Sequence, residues 1–120
     1  VNFLGYLTGI DKENIIRNSD VLILPSYGEG FPMVIPEAMA LGCTVISTNI
    51  AGIPEIVEDG LNGYLINPGD TDTLMQKLDY LNLHRDVLND FKEKCVILSS
   101  NFTLESYIEK LSIIYNKYAI

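Results

Sequence analysis

Apolar and polar positions change period several times along the chain, and each change marks an expected element. Residues 1–7 are mostly apolar and predict a strand, with Gly5 as its end or a point of close backbone approach. Asp11 stands where it would cap a short helix to about Asn18, with Ile15 and Ile16 on the inner face. Val21–Leu24 is a continuous apolar run stopped by Pro25, as in a parallel strand buried on both faces. Residues 28–31 read as loop. Pro32 suits the first turn of a helix, where a missing N–H costs nothing, and Gly42 stops that helix after about Leu41. Pro36 falls in its second turn and predicts a local irregularity there.

The β-branched segment Thr44–Thr48 predicts the next strand. A short helix led by Pro54 is expected over 53–57, then turn chemistry at Glu58-Asp59-Gly60 and Leu61-Asn62-Gly63. Residues 64–66 predict a strand ended by Pro68-Gly69. Asp70 caps a helix over Thr71–Leu83, with Leu74, Leu78 and Leu81 on its inner stripe. Another helix follows over Arg85–Ser99. Thr103 caps a last one, striped by Tyr107, Leu111, Ile114 and Tyr118. Strand, helix, strand, helix, strand, strand and then helices is the order of an α/β fold, a parallel sheet with flanking helices.

Composition narrows the classes. At 120 residues and 48% hydrophobic, the chain makes one packed domain at most. Its net charge of −8 weighs against nucleic acid and anionic membrane surfaces as partners. No apolar run approaches the ~20 residues of a membrane span. Opening at Val1 on a strand-like segment, with no leader, suggests a piece of something longer. Cys43 and Cys95 have neither zinc nor redox spacing, so both read as buried structural thiols, and a cytoplasmic location is the default. His84, between two helical patterns, reads as a solvated helix-end residue.

The chemistry concentrates in Ser26-Tyr27-Gly28-Glu29-Gly30-Phe31-Pro32-Met33-Val34-Ile35-Pro36-Glu37. In open α/β sheets ligands bind at the carboxyl ends of strands, and here such an end leads into a helix N-terminus. Amides of Phe31, Met33 and Val34 would present N–H groups there, while Gly28 and Gly30 let a ligand approach the backbone. Phosphate is the usual occupant of such a position. Along the helix, Val34, Ala38 and Leu41 form the stripe expected on the sheet, and Met33, Glu37 and Ala40 form another. A carboxylate repels phosphate, so Glu37 fits the two hydroxyls of a ribose, and Glu29 a further hydroxyl-bearing group such as a sugar. Taken singly, either glutamate also reads as a solvated surface acid. The joint pattern of acids, glycines and proline favours one ligand carrying phosphate and hydroxyls. No Lys or Arg lies between Arg17 and Lys77, which leaves the motif without a cation near it in sequence.

These residues resemble the retaining nucleotide-sugar glycosyltransferases of the GT-B fold, built from two Rossmann-like domains (glycosyl transferases group 1, family 4). The resemblance rests on the Glu29 to Glu37 spacing, on residues 21–26 before it, on Glu37-Ala38-Met39-Ala40-Leu41-Gly42 and Val45-Ile46-Ser47-Thr48 after it, and on the run from Gly52 to Gly63. It implies that the chain is part of the C-terminal, donor-binding domain, with the acceptor-binding domain and the start of this domain absent. In a 3-2-1-4-5-6 sheet, residues 1–7 would then be the far edge strand and Val21–Leu24 would lack a neighbour. That open edge is expected to pair with a second copy, or with residues 1–7 themselves.

The resemblance also implies roles. Glu29 is the catalytic residue, contacting the transferred sugar and stabilising positive character at its anomeric region. Glu37 holds the donor ribose. The amides of Gly30, Phe31 and Met33 meet sugar hydroxyls or phosphate, and the Val34 N–H meets the pyrophosphate. Residues 5–7 lie near the base. Donor-binding residues are therefore Gly30, Phe31, Met33, Val34 and Glu37, with no metal and no cofactor. The implied substrate is a nucleoside-diphosphate sugar. The acceptor, a glycan or lipid-linked molecule of capsule, lipopolysaccharide or exopolysaccharide synthesis, binds the missing domain, which would also carry any membrane attachment. The chain alone is expected to be inactive. The alternative is a nucleotide-sugar binding or epimerase-like module without transfer. A dinucleotide fingerprint is disfavoured, because Gly28-Glu29-Gly30 lacks the third glycine.

Overall fold

A computed structural model of the chain describes residues 3–25 and 33–100. Its elements are α1 (Gly9–Arg17), β1 (Val21–Leu24), α2 (Val34–Ala40), β2 (Thr44–Thr48), a 3-10 turn (Ile53–Glu55), β3 (Gly63–Ile66), α3 (Thr71–Leu83) and α4 (Arg85–Ser99). The strands form one parallel sheet in the order β1-β2-β3. Val21 faces Thr44 across the first pair, and Val45 faces Gly63 across the second.

β2 lies in the middle and is buried along its whole length. Successive side chains of a strand point to opposite faces, so Val45 and Ile46 seed two different cores. Val45 joins Ile35, Met39, Ile53, Ile56, Val57 and Cys95. Ile46 joins Tyr64, Ile66, Leu81, Leu88 and Phe91, with Tyr64 and Phe91 meeting edge to face at 5.3 Å. The polar members of β2 are satisfied: the Thr44 hydroxyl donates to the Asn62 carbonyl and the Ser47 hydroxyl to that of Leu24, both at 2.7 Å. The α/β class with a parallel sheet and flanking helices is therefore the observed one, and β2, α3 and α4 take the expected bounds. Asp70 caps α3, accepting from the Thr73 N–H at 3.1 Å, and Leu81 is its most buried contact.

Other expectations need correction. The described part of the opening segment, residues 3–7, is not a strand. Gly5 takes φ +72 and interrupts the extended run, and Phe3 and Tyr6 stand in solvent. A strand needs a neighbour to satisfy its ladder, and residues 3–7 have none among the described residues; they do not pair beside β1. α1 begins at Gly9, so Asp11 lies inside its first turn, where a carboxylate suits the helix dipole, instead of capping it. α1 buries none of its residues: Ile16 is half-buried and Ile15 exposed. β1 is less covered than a strand buried on both faces: Ile23 is 39% exposed, and Val21, Leu22 and Leu24 are only partly buried. It pairs with β2 alone among the described residues, as expected of a strand without its neighbour.

α2 starts at Val34, later than expected. Pro36 is then its third residue, in the first turn, where no intrahelical bond is lost and no irregularity arises. Its buried face consists of Ile35, Pro36, Ala38 and Met39, whereas Val34 and Leu41 are only partly covered. Gly42 ends the helix at φ +81, as expected. The short helix after Pro54 is a single 3-10 turn, shorter than 53–57. The helix expected after Thr103 lies outside the described residues.

Candidate functional site

The face of α2 opposite its core contacts defines the site. Ile35 and Met39 point inward, and Glu37 stands about 200° round the helix from Ile35. Glu37 therefore faces outward, toward α1. There it meets Lys12, whose Nζ lies 2.8 Å from Oε2 of Glu37, with both side chains close to half exposed. The hydrogen bond to Glu37, and then the charge of Glu37, hold the Lys12 ammonium above its ordinary pKa.

Around this pair opens a cavity of about 390 Å³ between the two helices. Gly9, Lys12, Glu13 and Ile16 line it from α1, one face at helical spacing; Glu37, Ala40 and Leu41 line it from α2. Glu37 and Ala40 thus share a surface, as their spacing predicts. The cavity holds both charge signs beside an apolar floor. A carboxylate in it can accept from two neighbouring hydroxyls, and its size admits a nucleoside or a sugar.

Of the other expected site residues, Met33 is the N-cap of α2 and Val34 its first helical residue, both partly buried. The Val34 N–H belongs to the first turn, whose amides have no intrahelical acceptor. Glu29, Gly30 and Phe31 lie outside the described residues. On the α1 side, Gly9 and Lys12 form the wall, where residues 5–7 were expected near the base.

Lys12 is the residue that sequence reasoning missed. The motif has no cation near it along the chain, yet folding places one against Glu37. The only available signal was that α1 leads into β1 and α2 follows it, which lets their exposed faces meet.

Three other polar features are structural. At the opposite, amino end of β1, Asp20 pairs with Lys92 at 3.0 Å and Arg85 at 3.2 Å. The hydrogen bond from Lys92 leads the effects that lower the Asp20 pKa. Cys43 and Cys95 are both buried, as expected of structural thiols, and burial raises each pKa from 9.0 to about 11. His84 is exposed between α3 and α4 and stacks on Tyr80 at 4.2 Å, a helix-end role as expected.

With this geometry in view, comparisons with known proteins agree on one family. The family described as "Glycosyl transferases group 1" matches residues 1–83. An uncharacterized 41.2 kDa protein in the cps region of Klebsiella pneumoniae is 32% identical over 98% of this chain and 33% of its own length. The N-acetyl-alpha-D-glucosaminyl L-malate synthase of Bacillus anthracis is 34% identical over 96% of this chain and 30% of its own. HepE of Anabaena, solved in complex with UDP and glucose, superposes with a TM-score of 0.83 at 25% identity, covering 98% of this chain and 32% of that one.

The fold is that of a Rossmann-like domain of GT-B glycosyltransferases. The chain belongs to the glycosyl transferases group 1 family. It spans about a third of the length of the curated relatives it matches. Among the described residues, no helix is long and apolar enough to cross a membrane.

Proposed function

We propose that the chain is the donor-binding part of a retaining glycosyltransferase that takes a sugar from a nucleoside-diphosphate sugar. One observation carries this reading: Glu37, the second acid of the motif, lines a nucleoside-sized cavity between α1 and α2. Family membership supports it, as does the complex of HepE with UDP and glucose. In this reading Glu37 accepts from the ribose hydroxyls, and the first-turn amides at Met33 and Val34 face the diphosphate. Glu29 contacts the transferred sugar, with Gly30 and Phe31 beside it. Amides aimed at the charge growing on the leaving diphosphate supply electrostatic catalysis without a metal.

The acceptor in this proposal is a glycan or lipid-linked molecule of surface polysaccharide synthesis, for which the cps-region relative is the support. It would be held by parts of a longer parent, on the cytoplasmic side. The chain by itself would then bind donor weakly and transfer nothing.

The test is an NMR titration of the chain with UDP, GDP, ADP and their common sugar conjugates, beside Glu37→Ala. Shifts at Gly9–Arg17 and at residues 33–41, weakened by the substitution, are the expected result and identify the base. Shifts confined to other surfaces, or unaffected by Glu37→Ala, contradict it.

A further inference from the structure

The ion pair between α1 and α2 suggests a role for Lys12 that extends the donor reading and rests on it. A glutamate at an exposed helical position has three rotatable side-chain bonds, and fixing them costs side-chain entropy. A carboxylate that must meet two adjacent hydroxyls needs both a fixed distance and a fixed plane. Nothing on α2 itself provides that, since Glu37 points away from the core formed by Ile35 and Met39. Lys12 approaches from the facing helix and holds Oε2 at 2.8 Å, on the wall of the same cavity. A carboxylate has about four lone-pair sites, so one ammonium contact still leaves acceptor capacity on both oxygens.

We infer that Lys12 is the positioning residue of the site: it locks the Glu37 carboxylate in the orientation that recognises a vicinal diol. Lys12 does not itself touch the diol; it acts through Glu37. Discrimination between a ribose and a sugar lacking one hydroxyl therefore depends on a residue far from the motif in sequence.

Two other roles are separable from this one. If Lys12 only offsets the repulsion between Glu37 and a diphosphate, its loss weakens every nucleoside diphosphate equally. If Lys12 competes with the hydroxyls for Glu37, its loss tightens binding.

The experiment measures the affinity of the chain for UDP and for 2′-deoxy-UDP in wild type, Lys12→Met, Lys12→Arg, Glu37→Gln and Lys94→Met. Lys94 pairs with Asp90 on α4 and serves as a charge-matched control. GDP and ADP, each with its 2′-deoxy form, replace UDP if the wild type prefers them. The Nζ resonance of Lys12 reports the pair independently of ligand: its titration moves down in Glu37→Gln, and amide spectra report folding of every variant.

We expect Lys12→Met to reduce the ribo-over-deoxy preference by ~3- to 10-fold, Lys12→Arg to restore it and Lys94→Met to leave it unchanged. An unchanged ratio in a folded Lys12→Met, or tighter UDP binding, overturns the inference while the donor reading stands, provided Glu37→Gln still weakens binding. Wild-type protein that binds none of the diphosphates removes both.

Discussion

Asn62 does more than its place in a turn suggests. Its side chain is fully buried: the amide oxygen accepts from the Glu58 N–H at 2.8 Å and Nδ2 donates to the Ile56 carbonyl at 3.1 Å. Its own carbonyl accepts from the Thr44 hydroxyl and, at 3.0 Å, from the Cys95 thiol. One residue thus ties the turn before β3 to both β2 and α4. Gly63 follows because a Cβ there would run into the Val45 carbonyl. The Cys95 thiol is part of this network, and its burial has a pH consequence. Folding raises both thiol pKa values from 9.0 to about 11, so the unfolded chain releases these protons first. Stability is unaffected by them below pH 9, falls between pH 9 and 11, and levels off with respect to them above that. Urea unfolding across this range should show a steeper alkaline loss in wild type than in Cys43→Ala or Cys95→Ala. Equal slopes would mean that the thiols ionise as easily folded as unfolded.

At the scale of elements, α2 shows that spacing alone does not say which face of a helix turns inward. Val34, Ala38 and Leu41 satisfy helical spacing, and so do Ile35, Ala38 and Met39; packing buries the second set. Met39→Ala should therefore cost about 2–5 kcal/mol of unfolding free energy, and Leu41→Ala clearly less. The reverse order, read by chemical denaturation, would restore the other face. β2, α3 and α4 were legible because their signals are local: β-branched residues, an Asp cap and apolar stripes at helical spacing. The opening segment was misread as a strand because a strand depends on a neighbour that no local pattern reveals. Glu37 was singled out by its motif, but its partner Lys12 was not. That pair exists only because the sheet brings two helices side by side.

At the scale of the molecule, two cores sit on either face of β2, and β1 keeps a hydrogen-bonding edge that pairs with nothing among the described residues. Such an edge accepts a strand from another chain, the physical basis for expecting the isolated chain to self-associate. α1 stands apart from both cores. It buries no residue, and its contact with α2 across the cavity includes a single ion pair near the solvent. Helices anchored this lightly open without the rest of the protein unfolding. Amide hydrogen exchange should therefore be fast along Gly9–Arg17 and slow along Thr44–Thr48. A ligand seated between α1 and α2 would slow exchange in α1 far more than in β2. Part of its binding energy would go into ordering that helix, so measured affinity would understate the strength of the contacts themselves.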